Sequence, residues 1–128
     1  MPRGTFKKRT AKTDAYRAGL LAEMLAALLF VVRGYAIAGW RYKTPVGEID
    51  LVARRGRQLV FVEVKFRKRL DDAAGSVNGR MASRISRAAQ YFLAAHPAWA
   101  DYPMRFDLVA VAPPFFWRHL DNAWRPPA

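Results

Sequence analysis

Gly47-Glu48-Ile49-Asp50-Leu51-Val52-Ala53, then Arg54-Arg55-Gly56-Arg57-Gln58, then Leu59-Val60-Phe61-Val62-Glu63-Val64-Lys65: two apolar runs on either side of a basic turn decide the reading of this chain. Strand side chains two apart share a face. Glu48 and Asp50 therefore go together, as do Glu63 and Lys65. If Arg54 pairs with Leu59, then Asp50 faces Glu63 and Glu48 faces Lys65, with Cβ atoms about 4.5–5.5 Å apart. Two carboxylates that close repel, and a fold keeps them only with a cation between them. Lys65 is one such cation. A hard divalent ion is the other, since it takes carboxylate oxygens and keeps waters for chemistry. A three-residue turn would flip one strand and dissolve the pairing.

The rest of the chain frames that hairpin. Its 128 residues, 52% apolar and 25% charged, make one globular domain. Cys is absent, which excludes a disulfide framework and Cys-based zinc sites and fits a reducing compartment. The 22 basic residues outnumber the 10 acidic ones for a net charge of +12. A domain this basic expects a polyanion, with counterion release from phosphates driving binding. Glu23, Glu48, Asp50 and Glu63 nevertheless lie on or beside apolar runs. An acidic knot inside a basic shell suits work on a phosphodiester. The run Leu20–Val32 is 13 residues with Glu23 inside it, short of the ~20 of a span. A buried core helix, no membrane partner and a cytoplasmic location are the expectations.

In order, residues 1–13 read as a disordered basic arm and 14–128 as a single domain. A helix is expected from Thr13 or Asp14, both good N-caps, to about Arg33, with Gly34 as its stop. From Leu20 on it is apolar nearly all round, so burial on most sides is expected. Glu23 on such a helix must be paired or bind a metal; a salt bridge to an Arg and a role beside Asp50 both remain open. Tyr35–Tyr42 reads as a first strand with a bulge at Gly39. The hairpin strands are 48–54 and 59–66. Residues 67–79, with Arg67-Lys68-Arg69 and Asp71-Asp72, form a loop. A second helix over 79–95 carries Met81, Ile85, Ala88 and Phe92 on one face and Arg80, Arg84 and Arg87 on another. That Arg stripe is either a phosphate track or a solvated face. Arg105–Val111 is a fourth strand and Phe115–Leu120 a fifth, at an edge. The architecture is one mixed sheet with helices packed on it, an α/β domain.

In chemical terms, Asp50 and Glu63 are candidate ligands for Mg²⁺ or Mn²⁺. Lys65 is placed to orient a water and stabilise developing charge, and Glu23 to add a ligand or hold a water. Glu48 opposite Lys65 reads as a cross-strand salt bridge. Arg54, Arg55, Arg57, Arg67, Lys68, Arg69, Arg80, Arg84 and Arg87 are the candidate nucleic-acid contacts. His96 and His119 stand isolated and read as structural. Trp99, Trp117 and Trp124 read as core or cover. No P-loop or G-x-S-x-G motif is present.

Gly-Glu-Ile-Asp-Leu-Val-Ala followed by Val-Phe-Val-Glu-Val-Lys resembles the PD-(D/E)xK, restriction-endonuclease-like nucleases. More narrowly it resembles the bacterial YraN-like family, which is similar to archaeal Holliday junction resolvases. Gly19–Glu23, Arg41-Tyr42, Ala88–Leu93 and Arg105–Val111 extend the likeness over most of the chain. Ile49, rather than Pro, precedes Asp50. The resemblance implies an αβββαβ nuclease core with Asp50 and Glu63 as metal ligands, Lys65 as the catalytic lysine and Glu23 as the helix carboxylate.

Two functions are therefore expected from different classes. The first is a Mg²⁺-dependent endonuclease on DNA, acting on branched or repair intermediates. The second is a non-catalytic nucleic-acid-binding module of a DNA-processing complex. A two-fold junction substrate would call for a homodimer, with the aromatic C-terminal segment as the candidate interface.

Overall fold

Strand β3 (Gln58–Phe66) divides its side chains between two cores. Leu59 and Phe61 pack with helix α2 (Gly79–Ala95), while Val60 and Val62 pack with helix α1 (Arg3–Val32). All four are fully buried, because β3 lies at the centre of a five-stranded sheet. The other strands are β1 (Ala36–Thr44), β2 (Gly47–Arg55), β4 (Met104–Ala112) and β5 (Phe116–Trp124), in spatial order β1-β2-β3-β4-β5. Only β3 and β4 run parallel, and their connection is the crossover that carries α2. The computed structural model describes residues 3–70, 75 and 77–125, with residues 3–12 described by backbone alone. The expected α/β restriction-endonuclease-like architecture is the one observed.

Local chemistry accounts for the elements. Asn78 caps α2, its side-chain oxygen accepting the Met81 N–H at 2.9 Å, and Met81, Ile85, Ala88, Ala89 and Phe92 form its buried stripe. Gly56 takes φ +59° in the β2–β3 turn, a left-handed conformation that costs glycine little. The register is the one expected: Arg54 pairs with Leu59 and Ala53 with Val60, up to Leu51 with Val62. A bulge interrupts β1 between Ile37 and Gly39, beside the glycine that signals it.

Helix α1 differs from expectation twice. Its backbone is helical from Arg3, ahead of the start expected at Thr13 or Asp14. It is also buried on one side only. Ala22, Ala26, Ala27 and Phe30 face the sheet, whereas Leu21, Met24, Leu28, Val31 and Val32 are exposed. The alanines let the helix sit close to the strands, and a single sheet covers only one stripe. The stretch Thr13–Val32 is 20 residues, apolar and long enough to cross a membrane by length and composition, and 28% of it is buried.

Candidate functional site: a carboxylate cleft at a slipped rung of the sheet

Normal alternation breaks down at one rung. Ile49 belongs to the α2-side core and Leu51 to the α1-side core, although two residues apart they should share a face. The facing strand does the same. Tyr42 packs edge-on against Phe92 of α2, while Trp40 lines an apolar groove along α1. Between Tyr42 and Trp40 lies Arg41, at φ +50°, and between Ile49 and Leu51 lies Asp50. A non-glycine residue in that region costs about 1–3 kcal/mol and tends to occur at functional sites. The β2–β3 ladder ends at Leu51 and Val62. Beyond it the strands part, and the Asp50 carboxylate accepts the Val64 N–H at 2.8 Å in place of a backbone carbonyl. The expected Asp50–Glu63 and Glu48–Lys65 rungs thus lie past the end of the ladder. Glu48 is exposed and pairs along β1 with Lys43 instead, because the parting of β2 from β3 carries it away from Lys65.

The cleft at this parting gathers the expected acids unevenly. Burial, then the charge of Glu63, pushes Asp50 from its ordinary 3.8 up to about 7, with Glu23 adding to the rise and the Val64 N–H and Lys65 opposing it. Glu63 is only 5% exposed. Its Oε1 lies 3.2 Å from Lys65 Nζ and 3.8 Å from Arg84 Nη2. Arg84 reaches it from α2 by lying over Gly47: a Cβ on Gly47 would stand 3.0 Å from Arg84 Cδ. Glu23 is taken by Arg41, whose Nε and Nη2 donate to it at 3.0 and 2.6 Å. It is salt-bridged to an Arg, and it lines, with Asp50, Tyr16, Gly19, Arg41 and Val64, a cavity of about 180 Å³. Among the described residues no group of three His, Cys, Asp or Glu is placed to hold a metal. Among the described residues Asp50 accepts the Val64 N–H and has no ion pair, whereas Glu63 is met by Lys65 and Arg84.

The expected nucleic-acid contacts scatter. Arg84 joins the cleft. Arg54 lies over Trp99, and Arg57 lies over Tyr102 with Asp101 at 3.1 Å. Arg55 lies over Tyr35 at the far end of the sheet. Arg67, Lys68, Arg69, Arg80 and Arg87 lie on the surface. The Asp71-Asp72 part of the loop lies outside the described residues. Trp99 and Trp124 stack on Phe92 and Phe106 as core and cover, while Trp117 is 47% exposed.

One buried acid escaped the sequence reading. Asp107 is fully buried on β4, held by Arg105 through two bonds of 2.9 Å, by His119 at 2.7 Å and by the Asn122 N–H at 3.0 Å. His119 is therefore not isolated. The available signal was an acid inside the apolar run 106–112, the same signal that marked Glu23.

Comparison with known proteins places the chain. Residues 22–111 match the family described as "Uncharacterised protein family UPF0102". A UPF0102 protein of Parvibaculum lavamentivorans is 51% identical over 112 residues, covering 88% of this chain and 84% of that protein. One of Rhodopseudomonas palustris is 52% identical over 113 residues, with the same two coverages. One of Bradyrhizobium diazoefficiens is 46% identical over 122 residues, covering 93% and 92%. The YraN-like resemblance and the match agree, and the chain belongs to the UPF0102 family.

Proposed function

We propose that this protein is a divalent-cation-dependent nuclease that hydrolyses phosphodiester bonds in DNA. The observation that carries the reading is Asp50. Its carboxyl is pushed up to about 7, first by burial and then by Glu63, and among the described residues its one hydrogen bond is from the Val64 N–H, so it is the group in the cleft that gains most from an added proton or cation. Mg²⁺ is commonly held by one or two carboxylates with waters completing the shell, and the donor set fits: Asp50, Glu63 and the Val64 carbonyl, with Glu23 engaged by Arg41. When bound there, such an ion would polarise the phosphate and lower the pKa of a water.

The chain's own groups have distinct parts. Asp50 Oδ2 is fixed by the Val64 N–H, which leaves Oδ1 directed by the backbone rather than by a rotamer alone. Lys65, 3.2 Å from Glu63 Oε1, carries a compact charge that orients a water and stabilises negative charge forming on the phosphate. Arg84 has a half-exposed side chain and presents a planar fork suited to phosphate oxygens. Arg41 keeps Glu23 in place and stops it from competing for the same cation.

The test is cleavage of single-stranded, duplex and four-way DNA in Mg²⁺ or Mn²⁺. Wild type should cut only with metal, and Asp50→Ala and Lys65→Ala should each lose at least about a hundredfold. DNA binding without cutting under every condition would leave the second reading, a binding module. What favours that reading is Glu63, already within reach of Lys65 and Arg84.

A further inference from the structure

At the C-terminal end of α1, on the same side of the sheet as the carboxylate cleft, lies a second cavity of about 390 Å³. Arg33, Tyr35, Arg55, Arg105, His119 and Asp121 line it. Ten helical residues separate Glu23 from Arg33, a rise of about 15 Å, so the two cavities are distinct. We infer that this one is a binding site for a phosphate group, contributed by a nucleic-acid backbone.

Each cation is held in place by its neighbours. Asp107 beneath the cavity binds Arg105 through Nε and Nη2, and Arg105 Nη1 has no partner among the described residues. Asp107 also binds His119 Nε2. Arg33 Nη1 lies 2.6 Å from His119 Nδ1. A guanidinium only donates, so Nδ1 accepts and the ring proton is on Nε2, bonded to Asp107. His119 thus spans Asp107 and Arg33 and acts as a spacer that aims the Arg33 guanidinium. The Arg33 carbonyl accepts from Arg55 Nη1 at 3.0 Å, and the Arg55 guanidinium lies 4.6 Å from the centre of the Tyr35 ring. Tyr35 OH in turn lies 3.4 Å from Arg105 Nη2.

The contacts close into a ring holding three guanidiniums around one open space. Both oxygens of Asp107 are filled, so it neutralises Arg105 and nothing further. Against Arg33 and Arg55 remains Asp121, which is exposed, and the weak negative end of α1. One net positive charge is left, which a singly charged phosphodiester matches. Planar forks held in place before binding are the preferred recognition of phosphate. The nuclease reading contributes only the choice of backbone phosphate over a free one; the cavity stands without it.

The experiment uses the full chain without divalent metal, so cleavage plays no part. Duplex DNA binding is measured by fluorescence anisotropy across a salt series, and thermal stability is measured with sodium phosphate against sodium chloride at equal ionic strength. Arg33→Gln/Arg55→Gln, both exposed residues, should lower the slope of log K against log salt by about 0.9, one phosphate contact's worth, and Asp121→Asn should tighten binding. An unchanged slope, with phosphate stabilising wild type and the Arg118→Gln surface control but not the double variant, would keep the phosphate site and assign it to a free phosphate. An unchanged slope with no phosphate-specific stabilisation would overturn the site. Failure of the nuclease reading would appear separately, as absence of metal-dependent cutting.

Discussion

Asp50 and Asp107 are both removed from water, and their surroundings treat them in opposite ways. Asp107 receives four donors, two on each oxygen. Its burial is more than offset by the bonds from His119, Arg105 and the Asn122 N–H, which hold its pKa below the usual carboxylate range. Asp50 receives one backbone donor and faces two further carboxylates, and its pKa rises to about 7. The first is a finished ion-pair network whose function is to hold other side chains still. The second is incomplete without a proton or a cation. Burial alone does not identify a reactive acid; the number of donors left unsupplied does.

Three measurements bear on that contrast, from the largest effect to the smallest. Asp107→Ala should lose about 3–5 kcal/mol of unfolding free energy, because it leaves Arg105 and His119 unpaired near a dry core. Urea unfolding at pH 7 reads this directly, and a loss below 1 kcal/mol would mean that Asp107 is not the closed network described. Asp50→Asn should act with the opposite sign. With its folded pKa raised above 3.8, Asp50 penalises the folded state progressively as pH rises from about 4 to 7, and the whole penalty is present above 7. The metal-free Asn variant should therefore match wild type at pH 4 and exceed it at pH 8, by up to about 4 kcal/mol; an equal gain at both pH values would contradict the shift. Gly47→Ala should cost about 1 kcal/mol, since its φ of +146° disfavours a side chain and its Cβ would displace Arg84 from above Glu63. Nuclease activity should fall more than stability in that variant if Arg84 contacts phosphate, and in proportion to stability if it does not.

Much of this was legible before any coordinates. The hairpin register followed from alternating apolar residues around Gly56, and α2 from its 3.6-residue spacing. The pairing of acids across the turn pointed to the right cleft. The way the acids meet there was not legible. Simple alternation placed Asp50 on a flat rung opposite Glu63, whereas both flanking strands slip at Arg41 and Asp50. That slip depends on packing two different helices on the two faces, which no single strand pattern records. Arg84 reaches Glu63 from 21 positions away over a glycine whose role looks like that of a plain turn residue. His119 looked isolated because its partners come from β4 and the end of α1, joined to it only by the folded sheet.

The hydrogen bond from Val64 N–H to Asp50 also gives the cleft an internal gauge. That amide is protected by a side chain whose charge depends on what occupies the site, whereas its neighbours along β3 are protected by the backbone ladder. Amide hydrogen exchange at Val64, compared with Val62, therefore reports occupancy and protonation of the cleft one residue at a time. It needs no substrate and no turnover, and it reads a variant that binds but cannot cut as easily as one that does both.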